Sequence, residues 1–251
     1  MTTQTLMQLR QLKLGGMAAA LQAQLEQAGT YEGLPFVERL ALLLEHETLT
    51  RDQRKHQRLV RQARFKLSAS VADIDYGHPR NITPAQMAKL AQGDWIHRAQ
   101  NLLVTGPCGS GKTYLACALG HNACLHGYPV RYYRLSRLLL ELTQAKADGS
   151  YHKQLQQLAK IQLLVIDDWG LEPLKPAHRN DLMEIMDDRH GVTSTLMISQ
   201  LPTDQWYASI GDNTLADAIL DRLMHNAHRL QLKGESMRKI LSQLTDDEHL
   251  S

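Results

Sequence analysis

The residues best equipped for chemistry are Gly106, Pro107, Cys108, Gly109, Ser110, Gly111, Lys112 and Thr113, which read G-x-x-x-x-G-K-T. Glycines at these places let successive backbone N–H groups converge on phosphate oxygens. A helix that opens at the lysine adds the positive end of its dipole. Lys112 is placed to reach the β- and γ-phosphates of a nucleotide, and the Thr113 hydroxyl to ligate Mg²⁺. Tyr114, next in line, completes the predicted nucleotide-binding set, so ATP and Mg²⁺ are the expected cofactors.

Two further polar pairs stand at the ends of apolar runs. Ile161-Gln162-Leu163-Leu164-Val165-Ile166 ends in Asp167-Asp168. Downstream of a phosphate loop, the first acid is expected to hold Mg²⁺ through water and the second to orient an attacking water. Asp168 has a competing reading, as a cap for the turn at Trp169-Gly170-Leu171. The run Ser194-Thr195-Leu196-Met197-Ile198 ends in Ser199-Gln200. Gln200, or Ser199, would sit beside the γ-phosphate if all strands end at the loop's edge of the sheet. The alternative is turn polarity ahead of Pro202.

The elements around these residues must therefore alternate. Strands are predicted at 101–105, 130–133, 161–166, 194–198 and 229–232, with helices between them, which argues for an α/β fold with a largely parallel sheet. Two helices, 136–147 and 151–159, fall between the second and third strands. The acids of the helix at 177–189, Asp181, Glu184, Asp187 and Asp188, are expected at the surface. Tyr76 and Trp95, upstream of the first strand, could line an adenine pocket or pack in the core.

Before the linker at 67–83 the chain reads as all helical. The expected division is a helical domain at 1–67 and a nucleotide-binding domain at 68–251. The helix that begins at Phe36 turns basic in its second half, with Arg51, Arg54, Lys55, Arg58, Arg61, Arg64 and Lys66 against one acid, Asp52. Arg51, Arg54, Arg58 and Arg61 fall along one stripe. Such a run is either a solvated face or a contact to the phosphate backbone of duplex DNA. As a contact it would be salt-sensitive and indifferent to sequence.

Composition narrows the classes. In 251 residues the formal charge is only +2, so nucleic-acid binding must come from local clustering. Cys108, Cys117 and Cys124 form no C-x-x-C pair and no disulfide framework. No apolar run approaches a membrane span, and Met1 to Arg10 has no signal core, so a cytoplasmic protein without membrane contact is expected.

The loop, Ile166-Asp167-Asp168-Trp169-Gly170, Ile198-Ser199-Gln200-Leu201-Pro202, and Asp221-Arg222-Leu223-Met224-His225-Asn226-Ala227-His228-Arg229 together resemble the IstB family. These are ATPases that accompany the transposase IstA of bacterial insertion sequences, related to the helicase loader DnaC and the initiator DnaA in the AAA+ class. Leu14-Gly15-Gly16-Met17-Ala18, the basic helix and Asp94-Trp95 extend the resemblance over nearly the whole chain. It implies a P-loop NTPase of AAA+ type behind a small all-helical N-terminal domain. It also implies an ATP-dependent oligomer or spiral on DNA, and a transposase partner.

By the same resemblance Asp167 and Asp168 match Walker B, and Ser199-Gln200 falls at sensor 1. Arg222 falls at the arginine finger that reaches a neighbouring subunit's ATP, with a salt bridge to the Asp217–Asp221 side of its own helix as the alternative. Two departures stand out. The family class usually has Glu where this chain has Asp168. The stretch after Leu232 is too short for a full helical lid, which leaves Arg238 in the neighbourhood of sensor 2. The leading expectation is an ATPase that assembles on and remodels target DNA for transposition. A DnaC-like helicase loader is the runner-up, and a small-molecule kinase lacks any acceptor-site signature.

Overall fold

The computed structural model describes residues 2–237. Contacts divide the chain into two compact units, Met1–Arg58 and Leu59–Ser251. The division falls inside a helix rather than in the linker at 67/68, because Leu59, Ala63, Phe65 and Leu67 belong to the core of the second unit.

The first unit comprises α1 (Thr2–Gln11), α2 (Gly15–Glu26), α3 (Ala28–Tyr31) and most of α4 (Phe36–Ala63). The all-helical N-terminal stretch is broken between α1 and α2 at Lys13, whose φ is 59°. Gly16 then lets α2 approach α4 closely: a Cβ there would stand 2.7 Å from the Glu47 Cα. Glu47 fixes the contact. Its carboxylate accepts from the Met17 N–H at 3.0 Å and from Arg51 Nε at 2.7 Å. The Arg51 hydrogen bond leads the causes that hold its pKa below the usual carboxylate range.

The second unit is a three-layer α/β structure. After the linker come α5 (Pro84–Ala91) and α6 (Asp94–His97), then β1 (Asn101–Thr105) and α7 (Lys112–Leu125). β2 (Val130–Arg134) leads to α8 (Leu135–Asp148) and α9 (Tyr151–Ala159). β3 (Leu163–Trp169), α10 (Pro176–Arg189) and β4 (Ser194–Ser199) follow. A 3-10 turn at Thr203–Gln205, α11 (Trp206–Ile210), α12 (Asn213–Met224) and β5 (Ala227–Gln231) complete the order. Thr83 and Gln86 form a reciprocal capping box that starts α5.

The sheet is parallel throughout, in the order β2-β3-β4-β1-β5. Strands buried on both faces need apolar side chains in succession, which β1, β3 and β4 supply. One face packs Leu102, Val104, Val165 and Ile198 against α7, with Leu59 and Ala63 of α4. The other packs Leu103, Leu164, Ile166 and Met197 against α8 to α12. Trp95 lies in the first of these cores and donates from Nε1 to the Leu90 carbonyl at 2.9 Å. Tyr76 packs against the same core. Both side chains thus take part in core packing.

One surface expectation fails. Asp181 of α10 is buried, bonded to Lys146 of α8 at 2.5 Å and to the Tyr151 hydroxyl of α9 at 2.8 Å. Helical periodicity alone put this acid outside. The two helices inserted between β2 and β3 cover it and supply its partners. Among the described residues no helix is long and apolar enough to cross a membrane.

Candidate active site

All strands end at one edge of the sheet, and a cavity of about 530 Å³ opens there. Its floor is the loop between β1 and α7. Gly109 and Gly111 adopt φ values of 79° and 91°, a region that favours glycine. Neither has room for a side chain: Ser236 lies against Gly109, and a Cβ on Gly111 would stand 2.7 Å from an Arg80 nitrogen. Lys112, 7% exposed, begins α7 and donates to the Gly106 and Pro107 carbonyls, each at 2.7 Å. Cys108 lies exposed at the lip, while the Ser110 hydroxyl is buried without a partner among the described residues. Tyr114 lines the cavity and donates to the Ser70 carbonyl at 3.4 Å.

Asp167, 2% exposed, is held by two donors on the same oxygen. Thr113 Oγ1 lies 2.8 Å and the Tyr132 hydroxyl 2.6 Å from its Oδ2. Burial, then the Asp167 carboxylate, pushes the Tyr132 phenol far up, so it stays a donor. Adjacent ligands of octahedral Mg²⁺, at ~2.1 Å from the ion, stand ~3 Å apart. The spacing of Thr113 and Asp167 fits that requirement, directly or with a water in one position. Together with the glycine cradle and Lys112, the residues present suit a Mg²⁺-nucleotide.

Asp168 also faces the cavity. Strand geometry would send two successive side chains to opposite faces. Here the β3–β4 register shifts between Ile166 and Trp169, and Asp168 takes φ 66°, so both acids line one space. Arg134, which sequence patterns did not single out, lies 4.0 Å from Asp168. Ser199 and Gln200 divide their roles. The Ser199 hydroxyl donates to the Trp169 carbonyl at 2.8 Å and accepts from Leu201 N at 3.0 Å, which fixes the turn. Gln200 is exposed and lines the cavity, so its amide is the one available to a ligand.

Arg222 lies elsewhere. Asn101, the first residue of β1, donates to the carbonyls of Arg222 and Leu223 at 3.1 Å each. That anchors the end of α12 where the strands begin. The five residues of β1 span ~16 Å at ~3.3 Å per residue, beyond the reach of an arginine to its own cavity. Its guanidinium pairs with Asp187 of α10, Nε at 2.8 Å and Nη2 at 2.7 Å, not with the acids of its own helix. Arg238 lies outside the described residues.

The basic residues of α4, Arg51, Arg54, Lys55, Arg58 and Arg61, are all exposed. Arg51 is neutralised by Glu47, while Arg54, Lys55, Arg58 and Arg61 make no ion pair among the described residues. Arg64 leaves the helix at φ 56° and lines a larger cavity of about 870 Å³ at the β2 edge, with Arg131, Arg137 and Lys153. That space lies away from the loop and its acids.

Sequence patterns also missed Arg80. It is buried beside Gly111 and lines the nucleotide cavity. Nothing in its local sequence marks it, because its position depends on pairing between the linker and the end of β5. Asn81 Nδ2 bonds the Gln231 carbonyl at 2.8 Å, and Lys233 N bonds the Arg80 carbonyl at 3.1 Å.

Comparison with known proteins agrees with this geometry. The family described as IstB-like ATP binding protein matches residues 7–244. An insertion-sequence ATP-binding protein of Sinorhizobium fredii is 47% identical over 235 residues, 94% of this chain and 96% of its own. The ATP-binding protein of insertion sequence IS1162 from Pseudomonas fluorescens is 50% identical over 204 residues, 81% of this chain and 88% of its own. Among solved structures, AMPPCP-bound DnaA from Aquifex aeolicus shares the fold, with a TM-score of 0.57 and 15% identity over 73% of this chain and 56% of that one.

Proposed function

We propose, on the premise that this chain belongs to the family of IstB-like ATP binding proteins, that it hydrolyses ATP at interfaces between its own copies on duplex DNA and so assists a transposase. ATP binding and the AAA+ P-loop fold come with the family and the fold. The observation that carries the rest is the separation of Arg222 from its own cavity. A loop, a lysine, two acids and Gln200 are gathered at one edge, and Arg222 stands at the other. A second copy would complete the site.

The chain's residues have distinct tasks in that reaction. Lys112 and the amides of the glycine-rich loop hold the phosphates. Thr113 and Asp167 would hold Mg²⁺, which would supply charge neutralisation to the phosphates. Tyr132 fixes the Asp167 carboxylate. Asp168 accepts a hydrogen bond from the attacking water, and Gln200 orients it. Arg222 of one copy stabilises charge on the γ-phosphate bound to another. The names of the relatives place such a protein in insertion sequences. The exposed cations of α4 suit phosphate contacts along a duplex, and assembly there would remodel the target and present it to the transposase.

Mixed oligomers test the trans arrangement. Lys112→Ala and Arg222→Ala should each be inactive alone in a DNA-stimulated ATPase assay. Mixed, they should regain turnover, because the Arg222 of one variant serves the intact loop of the other. Normal multi-turnover hydrolysis by Arg222→Ala alone would overturn the reading.

A further inference from the structure

We infer that Arg80 binds the nucleotide directly, at the ribose and α/β-phosphate end common to ADP and ATP. The inference deepens the ATP-binding reading and rests on it.

Arg80 is 5% exposed, and its Nε is buried with no partner among the described residues. Its Nη2 donates to the Asp75 carbonyl, and its Nη1 lies against Gly111 of the phosphate loop. It makes no ion pair among the described residues. Asp75 feels the Arg80 charge but gives its carboxylate first to others, accepting from Gly77 N at 2.7 Å and meeting His78 Nδ1 at 2.6 Å. A buried guanidinium with an open donor is costly unless something anionic or polar meets it. Pinning one carbonyl needs no charge. A cavity that holds phosphates against the adjacent amides provides the missing acceptor.

Topology decides which part of the nucleotide it meets. The γ-phosphate end is marked by Asp167 and Asp168, in the last residues of β3, and by Gln200, which follows β4. Arg80 is tied to the end of β5, by Lys233 N at 3.1 Å. β3 and β5 are three strand spacings apart, ~14 Å. Arg80 therefore approaches from the side opposite the acids. Its contact should be blind to the γ-phosphate, unlike those of Lys112 and Arg222.

The experiment is a titration of the full chain, wild type, Arg80→Met and Arg80→Lys, with ADP and separately with AMPPCP. Arg80→Met should weaken both ligands by the same factor, about tenfold to a hundredfold, the range of a charge-assisted hydrogen bond. Arg80→Lys should weaken both by a smaller, again equal factor, because an ammonium cannot reproduce the planar fork. KM for ATP should rise by the factor seen in binding. Unchanged affinities, or a loss confined to AMPPCP, would overturn the inference. If Arg80→Met fails to fold, Arg80→Lys decides on the same criteria. A wild-type chain that binds neither ligand would instead overturn the ATP-binding reading itself.

Discussion

Where the strands end, Lys112 and Asp167 are buried and bonded to fixed protein partners. Where the strands begin, Arg222 is 27% exposed and paired with an Asp187 that is 61% exposed. The first edge is organised before anything binds. The second presents a charge whose present partner is exchangeable, since a surface ion pair is worth only ~0–1 kcal/mol. On the proposed function the contrast separates two kinds of residue. One kind must be held rigidly to select a ligand. The other must be free to change partners when another molecule arrives.

That contrast can be broken most directly at Arg222. Arg222→Ala should lower turnover by about a thousandfold, the low end for an arginine finger, and leave nucleotide affinity within about twofold. Nucleotide titration beside steady-state hydrolysis measures both. An equal loss of affinity would mean that the far edge takes part in binding after all. Asp187→Asn sharpens the same point. It removes the competing carboxylate, so turnover at limiting protein concentration should rise by up to about fivefold. A fall would mean that Asp187 holds Arg222 in its working pose. The smallest effect is expected on α4. Arg58→Ala should reduce the salt dependence of duplex binding by about one contact in the log–log slope, without altering sequence preference. A change in sequence preference would show that the helix reads bases.

Much of the first edge was legible because its chemistry is local. The loop's glycines, its lysine and the strand-end acids carry their roles within a few residues, and the alternation of apolar runs places them at one edge. What was illegible depends on pairing over long chain distances. Asp181 has the spacing of a surface acid, and only the packing of α8 and α9 shows that Lys146 and Tyr151 bury it. Arg80 sits in a turn-rich linker, and its closeness to Gly111 follows from the linker's bonds to the end of β5. Glu47 lies one turn before the basic run, and only the structure shows that it neutralises Arg51. The pairing of Arg222 with α10, not with its own helix, is of the same kind.

The shifted register at Asp167-Asp168 carries a consequence for evolvability. To bring both acids into one cavity the chain puts Asp168 at φ 66°, where a Cβ is unfavourable by ~1 kcal/mol and glycine is at ease. Selection for thermal robustness alone would thus drive this position toward Gly. Asp168→Gly should unfold at a higher temperature than the wild type in a calorimetric scan while losing hydrolysis. The aspartate would then be a residue kept against the preference of its own backbone, and its retention a trace of selection for turnover over stability.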